Sequence, residues 1–390
     1  MATMVRIPIS NVLMENLFTA KLLVGSGAVP VAVLLDTGSS MLAVTGSVYD
    51  PATDQNATTT KLLQTAPFQS GSFTAAVVRT SVGISGDANG AALTLPGANL
   101  AVTYQFQPGT FGNADGIFGL AYATLDTAWQ MPADTWQNRY GADQVSLGRP
   151  ADLDPYFNQL TEAGLVSGKF AFAVHRSAMS QAMDDPSNDP LNLGVFILGG
   201  GAECNDLYTG GFASVAVVHE TFYNANLLAI QVGEGSIAVP PPAPGARVAS
   251  NAIVDSGNPT LMLDQGLYDK VVALFGAVNA DFGSALQKYA PNAGGGCEQT
   301  QLDLTRWPPI RLILQGSDGG QVAVSVAPQD YWQFDCGQRG SATTALCGDG
   351  GMLGGQSNLG LPIFCGHYVV FDRTASSGHG VIGFATRTGV

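Results

Sequence analysis

The chain has 390 residues, 46% hydrophobic and 12% charged, with a formal net charge of −14 from 30 acidic and 16 basic side chains. That length is enough for two lobes with separate cores, and the apolar fraction excludes an intrinsically disordered chain. The acidic balance argues against a nucleic-acid partner, and no apolar run reaches the roughly 18 residues of a membrane-spanning helix. The opening MATMVRIPIS enters strand-like alternation directly and has none of the regions of a secretion signal, so a cytoplasmic protein or a secreted one in mature form is expected.

In chain order, the apolar run Val31 to Leu35 ends on Asp36 and continues as Thr37-Gly38-Ser39-Ser40. A lone carboxylate at the end of a buried strand is costly to desolvate, which marks a turn or a site. FTAAVVRTSVGI (73–84), GVFILGG (194–200), IRLIL (310–314) and YVVFD (368–372) read as strands among 49 glycines and 21 prolines. Segment 128–150 reads as a long loop insertion in the first lobe. A helix is expected over 153–168, with Asp154 as N-cap, Pro155 at the first position, Tyr156, Phe157 and Leu160 inward, and Gly164 as the stop. The polar segment 177–194 holds two Asp-Pro steps and is the expected boundary, giving lobes 1–185 and 186–390. VPPPAPG (239–245) reads as a surface loop. A second helix is expected over 263–277, starting at Asp264 with Leu267, Val271, Leu274 and Phe275 on one face. The chain is thus mostly β with a few short helices, which suggests packed sheets or barrels. Cysteines 204, 297, 336, 347 and 365 are odd in number and without CxxC spacing, which excludes a zinc ribbon or a disulfide framework. A local disulfide, for example Cys297 with Cys336 or Cys347, stays open, as does a role for Cys204 and Cys365 as small buried residues.

NAIVDSGNPTLML (251–263) repeats the first carboxylate stretch: an apolar run, an Asp, a small hydroxyl residue, a Gly and a hydrogen-bonding residue. Asp36 and Asp255 fall one in each half and suggest a pseudo-twofold pair. Two carboxylates about 3 Å apart repel by roughly 5 kcal/mol at an effective dielectric near 20, or about 4 pKa units. Such a pair holds one proton between its members in acid. The ionised member activates a water while the protonated one polarises a carbonyl. Gly38 and Gly257 let backbone N–H groups reach the carboxyls. Thr37 and Ser256 can brace the two loops against each other, and Ser39 and Asn258 can hold the outer carboxylate oxygens.

These residues resemble the pepsin-like aspartic proteases. The likeness extends over ADGIFGLAY (114–122), DPYFNQLTEAGLVSGKFAFAV (154–174), VFILGGGAECNDLYTGGF (195–212), NLGLPIFCGHYVVFDR (358–373) and VIGFA (381–385). It implies a mostly β, bilobal pepsin-like acid protease fold, with two pseudo-symmetric β-barrel-like lobes around a central cleft. Asp36 and Asp255 would be the catalytic pair, and apolar-Gly elements at Gly119 and Gly360 would cross and pin the two loops. The flap would be PFQSGSFTAAVV (67–78), including Ser70 and Gly71. Phe68 stands where the family has a tyrosine, and Ala43 where it has that tyrosine's tryptophan partner. Phe facing Ala leaves no buried phenol unpaired, but the usual flap hydrogen bonds are absent. Phe68 with Phe111 and Ile117 would wall an apolar pocket favouring large hydrophobic side chains. Asn258-Pro259 replaces the usual Thr after the second Gly, and Leu361 the usual Asp after Gly360.

The resemblance implies an aspartic endopeptidase with an acidic optimum, acting as a monomer on peptide or protein substrates. Pepstatin-type inhibitors should bind, and neither metal nor cofactor is called for. The alternative is a catalytically impaired pepsin-like binding or inhibitor protein. A glycosidase would not need the Gly-hydroxyl bracket around each carboxylate. GHGVIG (378–383) lacks a following helix, His175, His219, His367 and His379 lack ligand spacing, and no GxSxG occurs.

Overall fold

The computed structural model describes residues 2–68, 71–86, 93–107, 109–291, 295–375 and 379–388. They form two compact, mostly β units. The first holds Met1–Ile9, Phe18–Gly168 and Ile197–Gly199, and the second holds Ser10–Leu17, Lys169–Phe196 and Gly200–Val390. The main division therefore falls at Gly168, and the polar segment 177–194, expected as the boundary, lies within the second unit. The reason is long-range pairing. Strand Lys169–Val174 is antiparallel to His367–Asp372, and its Phe170 stacks on Phe371 with 4.8 Å between ring centroids.

The first unit contains β1 (Val5–Ser10), β2 (Thr19–Val24), β3 (Val29–Asp36), β4 (Leu42–Thr45) and β5 (Thr58–Phe68). It continues with β6 (Gly71–Ile84), β7 (Leu93–Phe106), β8 (Gly116–Gly119), β9 (Thr127–Gln130) and β10 (Arg149–Asp152). Strands β2, β3, β8, β4, β7 and β6 neighbour one another in that order, and β6 also pairs with β2, so they close a barrel. Closure removes exposed edges and encloses Val31, Val33, Leu35, Val44, Ala76 and Val102, all fully buried or nearly so. The uninterrupted apolar run before Asp36 is explained by β3, which is covered on both faces from Val33 onward.

Strands β5 and β6, the segment expected to hold a flap, form a hairpin paired from Thr58 opposite Arg79 to Phe68 opposite Gly71, with a register shift between Thr59 and Leu63. Ser70 and the Phe68 side chain lie outside what is described. The base of β5 is held by Gln64, whose Nε2 donates to Asp126 Oδ1 at 2.5 Å. Burial pushes the Asp126 carboxyl up to about 8.

The insertion 128–150 is more ordered than a loop. Strands β9 and β10 pair across it, and β9 also pairs with β5. Between them helix α1 (Thr135–Asn138) is capped by Asp134, which accepts from Gln137 N. Thr135 donates to the β5 carbonyls of Thr60 and Leu62, and these bonds to a neighbouring strand give the segment an order that its composition does not announce. Helix α2 (Tyr156–Glu162) buries Tyr156, Phe157 and Leu160 as expected, with Pro155 rather than Asp154 as its N-cap.

In the second unit, Asn224–Ala225, Ala252–Val254, Ser357–Leu359, Leu261–Leu263 and Leu346–Gly348 form one sheet in that order. Helix Gln265–Val278 starts at the Asp264 cap and buries Leu267, Val271 and Phe275. All five cysteines are free thiols, so the local disulfide left open by the sequence is not formed.

Candidate active site

The first carboxylate sits where β3 ends, with Asp36 opposite Gly119 of the parallel strand β8. Strand β8 pairs antiparallel with β4 on its other side. The chain therefore leaves β3, turns through 37–41 and returns as β4, with β8 between the two. Gly119 N donates to Met41 O at 2.8 Å, and Leu120 N to Asp36 O and Ala121 N to Ser39 O, both at 2.7 Å. Ser40 Oγ donates to Tyr122 O at 2.6 Å. A Cβ at Gly119 would lie 2.5 Å from the Ser40 carbonyl carbon, so only glycine permits this crossing. Gly38 N donates to Asp36 Oδ1 at 2.7 Å, and Asp36 is 8% exposed.

The second loop repeats the plan. Ala252–Val254 lies parallel to Ser357–Leu359, which pairs antiparallel with Leu261–Leu263. Gly257 N donates to Asp255 Oδ1 at 2.8 Å, and Asp255 is also 8% exposed. Gly360 N donates to Thr260 O at 3.1 Å and Leu361 N to Asn258 O at 2.8 Å. A Cβ at Gly360 would lie 2.2 Å from Asn258 O and 2.3 Å from Thr260 O. In both units, then, a strand-end Asp takes its own loop's glycine N–H, and a second glycine crosses close beneath.

The supporting side chains depart from expectation. Asn258 bonds Asp255 only through the backbone, N to O at 3.3 Å: its Oδ1 accepts from Thr260 N at 2.9 Å and from Thr260 Oγ1 at 2.8 Å, and its Nδ2 donates to Asn358 O at 3.4 Å. Asp255 Oδ2 instead accepts from Asn358 Nδ2 at 2.7 Å. The reason is local geometry: the turn after Gly257 folds the Asn258 amide back on Thr260, while Asn358 comes alongside on the neighbouring strand. Asn358 carries a direct contact that reading the loop alone missed. Its signal is the comparison of GIFGL (116–120) with SNLGL (357–361), where Asn358 is a polar residue at the place held by Ile117. Ser39, expected to hold an outer oxygen of Asp36, has a buried hydroxyl with no hydrogen-bond partner among the described residues. Thr37 and Ser256 are buried.

Of the residues expected around a substrate pocket, Phe111 packs on Phe73 of β6 with ring centroids 5.7 Å apart. Ile117 is buried in β8 between Leu34 and Ala43. Both lie in the first unit, as does the hairpin that carries Phe68 and Gly71.

A strand-end Asp-Thr/Ser-Gly loop, crossed by a glycine strand and built twice, is a specific combination. It accompanies a match to the family model of eukaryotic aspartyl proteases over residues 17–347, and the chain belongs to that family.

Proposed function

We propose that the protein is an aspartic endopeptidase in which Asp36 and Asp255 together activate a water molecule against a peptide carbonyl. The observation that carries this reading is the repeated carboxylate geometry, Gly38 N on Asp36 Oδ1 at 2.7 Å and Gly257 N on Asp255 Oδ1 at 2.8 Å. Each bond fixes one carboxylate oxygen and leaves the plane of the carboxyl set. When the two carboxyls meet across a cleft, mutual repulsion keeps one proton on the pair, as the general case of the shared-proton dyad requires. The ionised member takes a proton from water as the protonated member polarises the scissile carbonyl, and no covalent intermediate or metal is needed. Thr37 and Ser256 brace the two loops, and Asn358 holds Asp255 in its rotamer. The β5–β6 hairpin, with the flap residues Ser70 and Gly71, covers an extended peptide, and Phe68, Phe111 and Ile117 wall an apolar pocket beside the scissile bond. Activity falls on the acidic side of neutrality.

The test is digestion of an unfolded protein from about pH 3 to 7, with Asp36→Asn as control and pepstatin as probe. Acid cleavage that disappears in both controls supports the dyad. A folded protein that cleaves nothing in this range overturns it and favours a catalytically impaired binding protein, a reading to which the unpartnered Ser39 hydroxyl lends weight.

A further inference from the structure

The insertion 128–150 builds one wall of an open pocket of about 420 Å³ in the first unit, and none of its lining residues belongs to the loop 36–41. Arg139 closes helix α1 in the left-handed region at φ +50°. Glycine or asparagine is the economical residue at such a cap, so an arginine there draws its worth from its side chain. Its guanidinium carbon lies 3.5 Å from the Trp136 ring centroid and 5.0 Å from that of Tyr104. Tyr104 is itself anchored by its hydroxyl, which donates to Tyr140 O at 2.6 Å. Among the described residues this guanidinium makes no ion pair. A planar cation held on aromatic rings with its N–H edge unspent is preorganised for a carboxylate.

Two further groups narrow the ligand. Asp50 uses Oδ1 to accept from Ala52 N at 2.9 Å, and its carboxylate favours a ligand that brings an N–H donor. Phe106 is 47% exposed and offers an apolar face. A simple inorganic anion would bring no N–H donor to Asp50 and find nothing for Phe106. We infer that this pocket is a second peptide-binding site, which takes an acidic side chain on Arg139 with a neighbouring apolar side chain on Phe106. The peptide's backbone N–H then faces Asp50. Binding here does not depend on proteolysis.

The test uses the full chain carrying Asp36→Asn, saturated with pepstatin, and an N-acetylated, C-amidated peptide containing one Glu-Leu step. Tryptophan fluorescence and calorimetry should show saturable binding, weakened by roughly tenfold or more in Arg139→Gln or when the peptide Glu is replaced by Gln. The circular dichroism spectrum of the Arg139→Gln variant should be unchanged. Binding that Arg139→Gln leaves intact, or no binding at millimolar peptide, overturns the inference. N-acetylglutamate binding as tightly as the peptide also overturns it and assigns the pocket to free organic acids. If pepstatin does not bind at all, the protease reading is in question, while the Arg139 comparison still decides this one.

Discussion

Asn358 donates its side-chain amide to the outer oxygen of Asp255 at 2.7 Å, whereas the corresponding place in the first unit is held by Ile117, which has no hydrogen to give. The two loops share a backbone plan and differ at this position, Asn358 in one and Ile117 in the other. Replacing Asn358 by Leu removes a hydrogen bond to a charged acceptor, worth about 1.5–3 kcal/mol. The expected result is kcat/KM lower by roughly 10- to 100-fold with the fold retained. Steady-state kinetics on a chromogenic peptide, beside a thermal melt, would check it; unchanged kinetics would remove Asn358 from the site.

Asn258→Ala should behave differently. It strips Thr260 N and Oγ1 of their acceptor and removes no side-chain bond to the Asp255 carboxylate. Leaving buried donors unsatisfied costs about 1–3 kcal/mol, so the loss should appear in urea unfolding. Catalysis should suffer less than in the Asn358 variant. A larger catalytic loss from Asn258→Ala would reverse the roles assigned to the two asparagines.

The crossing glycines give a steric prediction. Gly360→Ala would press a methyl group to 2.2 Å from Asn258 O, and Gly119→Ala to 2.5 Å from the Ser40 carbonyl carbon. Neither contact involves a flexible side chain, so the loops must move. Each substitution should cost about 1–3 kcal/mol or more and lower Tm by several degrees, with activity lost before the fold. Wild-type activity in either variant would show that the crossing is not tight.

Asp126 makes stability depend on pH. Its pKa is raised in the folded protein from 3.8 to about 8. Between these values the unfolded chain ionises while the folded one keeps its proton. Stability is therefore whole below about pH 4, declines as pH rises towards 8 and is level above. The span sets an upper limit of roughly 6 kcal/mol. Asp126→Asn keeps an acceptor for Gln64 and has no ionisable group, so its Tm should fall less between pH 4 and pH 8 than that of the wild type. Parallel slopes for the two proteins would rule out this carboxyl as the source.

Local patterns were legible in the sequence because local physics sets them. The apolar run into Asp36, the α2 helix, the Asp264-capped helix and the two Asp-x-Gly loops all lie where the residues point. Partners far apart in sequence were not legible. Asn358 is 103 residues from Asp255, and it sits in a short strand whose burial gives no hint of a polar task. The division at Gly168 depends on a strand that pairs nearly 200 residues downstream, and α1 depends on Thr135 reaching β5. Composition alone read the segment around α1 as a loop.

The interleaving of β8 between β3 and β4 also orders events in time. Strands adjacent in sequence cannot meet until a segment some 80 residues later slides between them, and the second loop waits in the same way for residues 357–361. Closing such distant contacts is slow and comes late. During synthesis neither carboxylate can acquire its final surroundings while its half of the chain is still emerging. Each loop therefore takes its final form only after its crossing strand has been made.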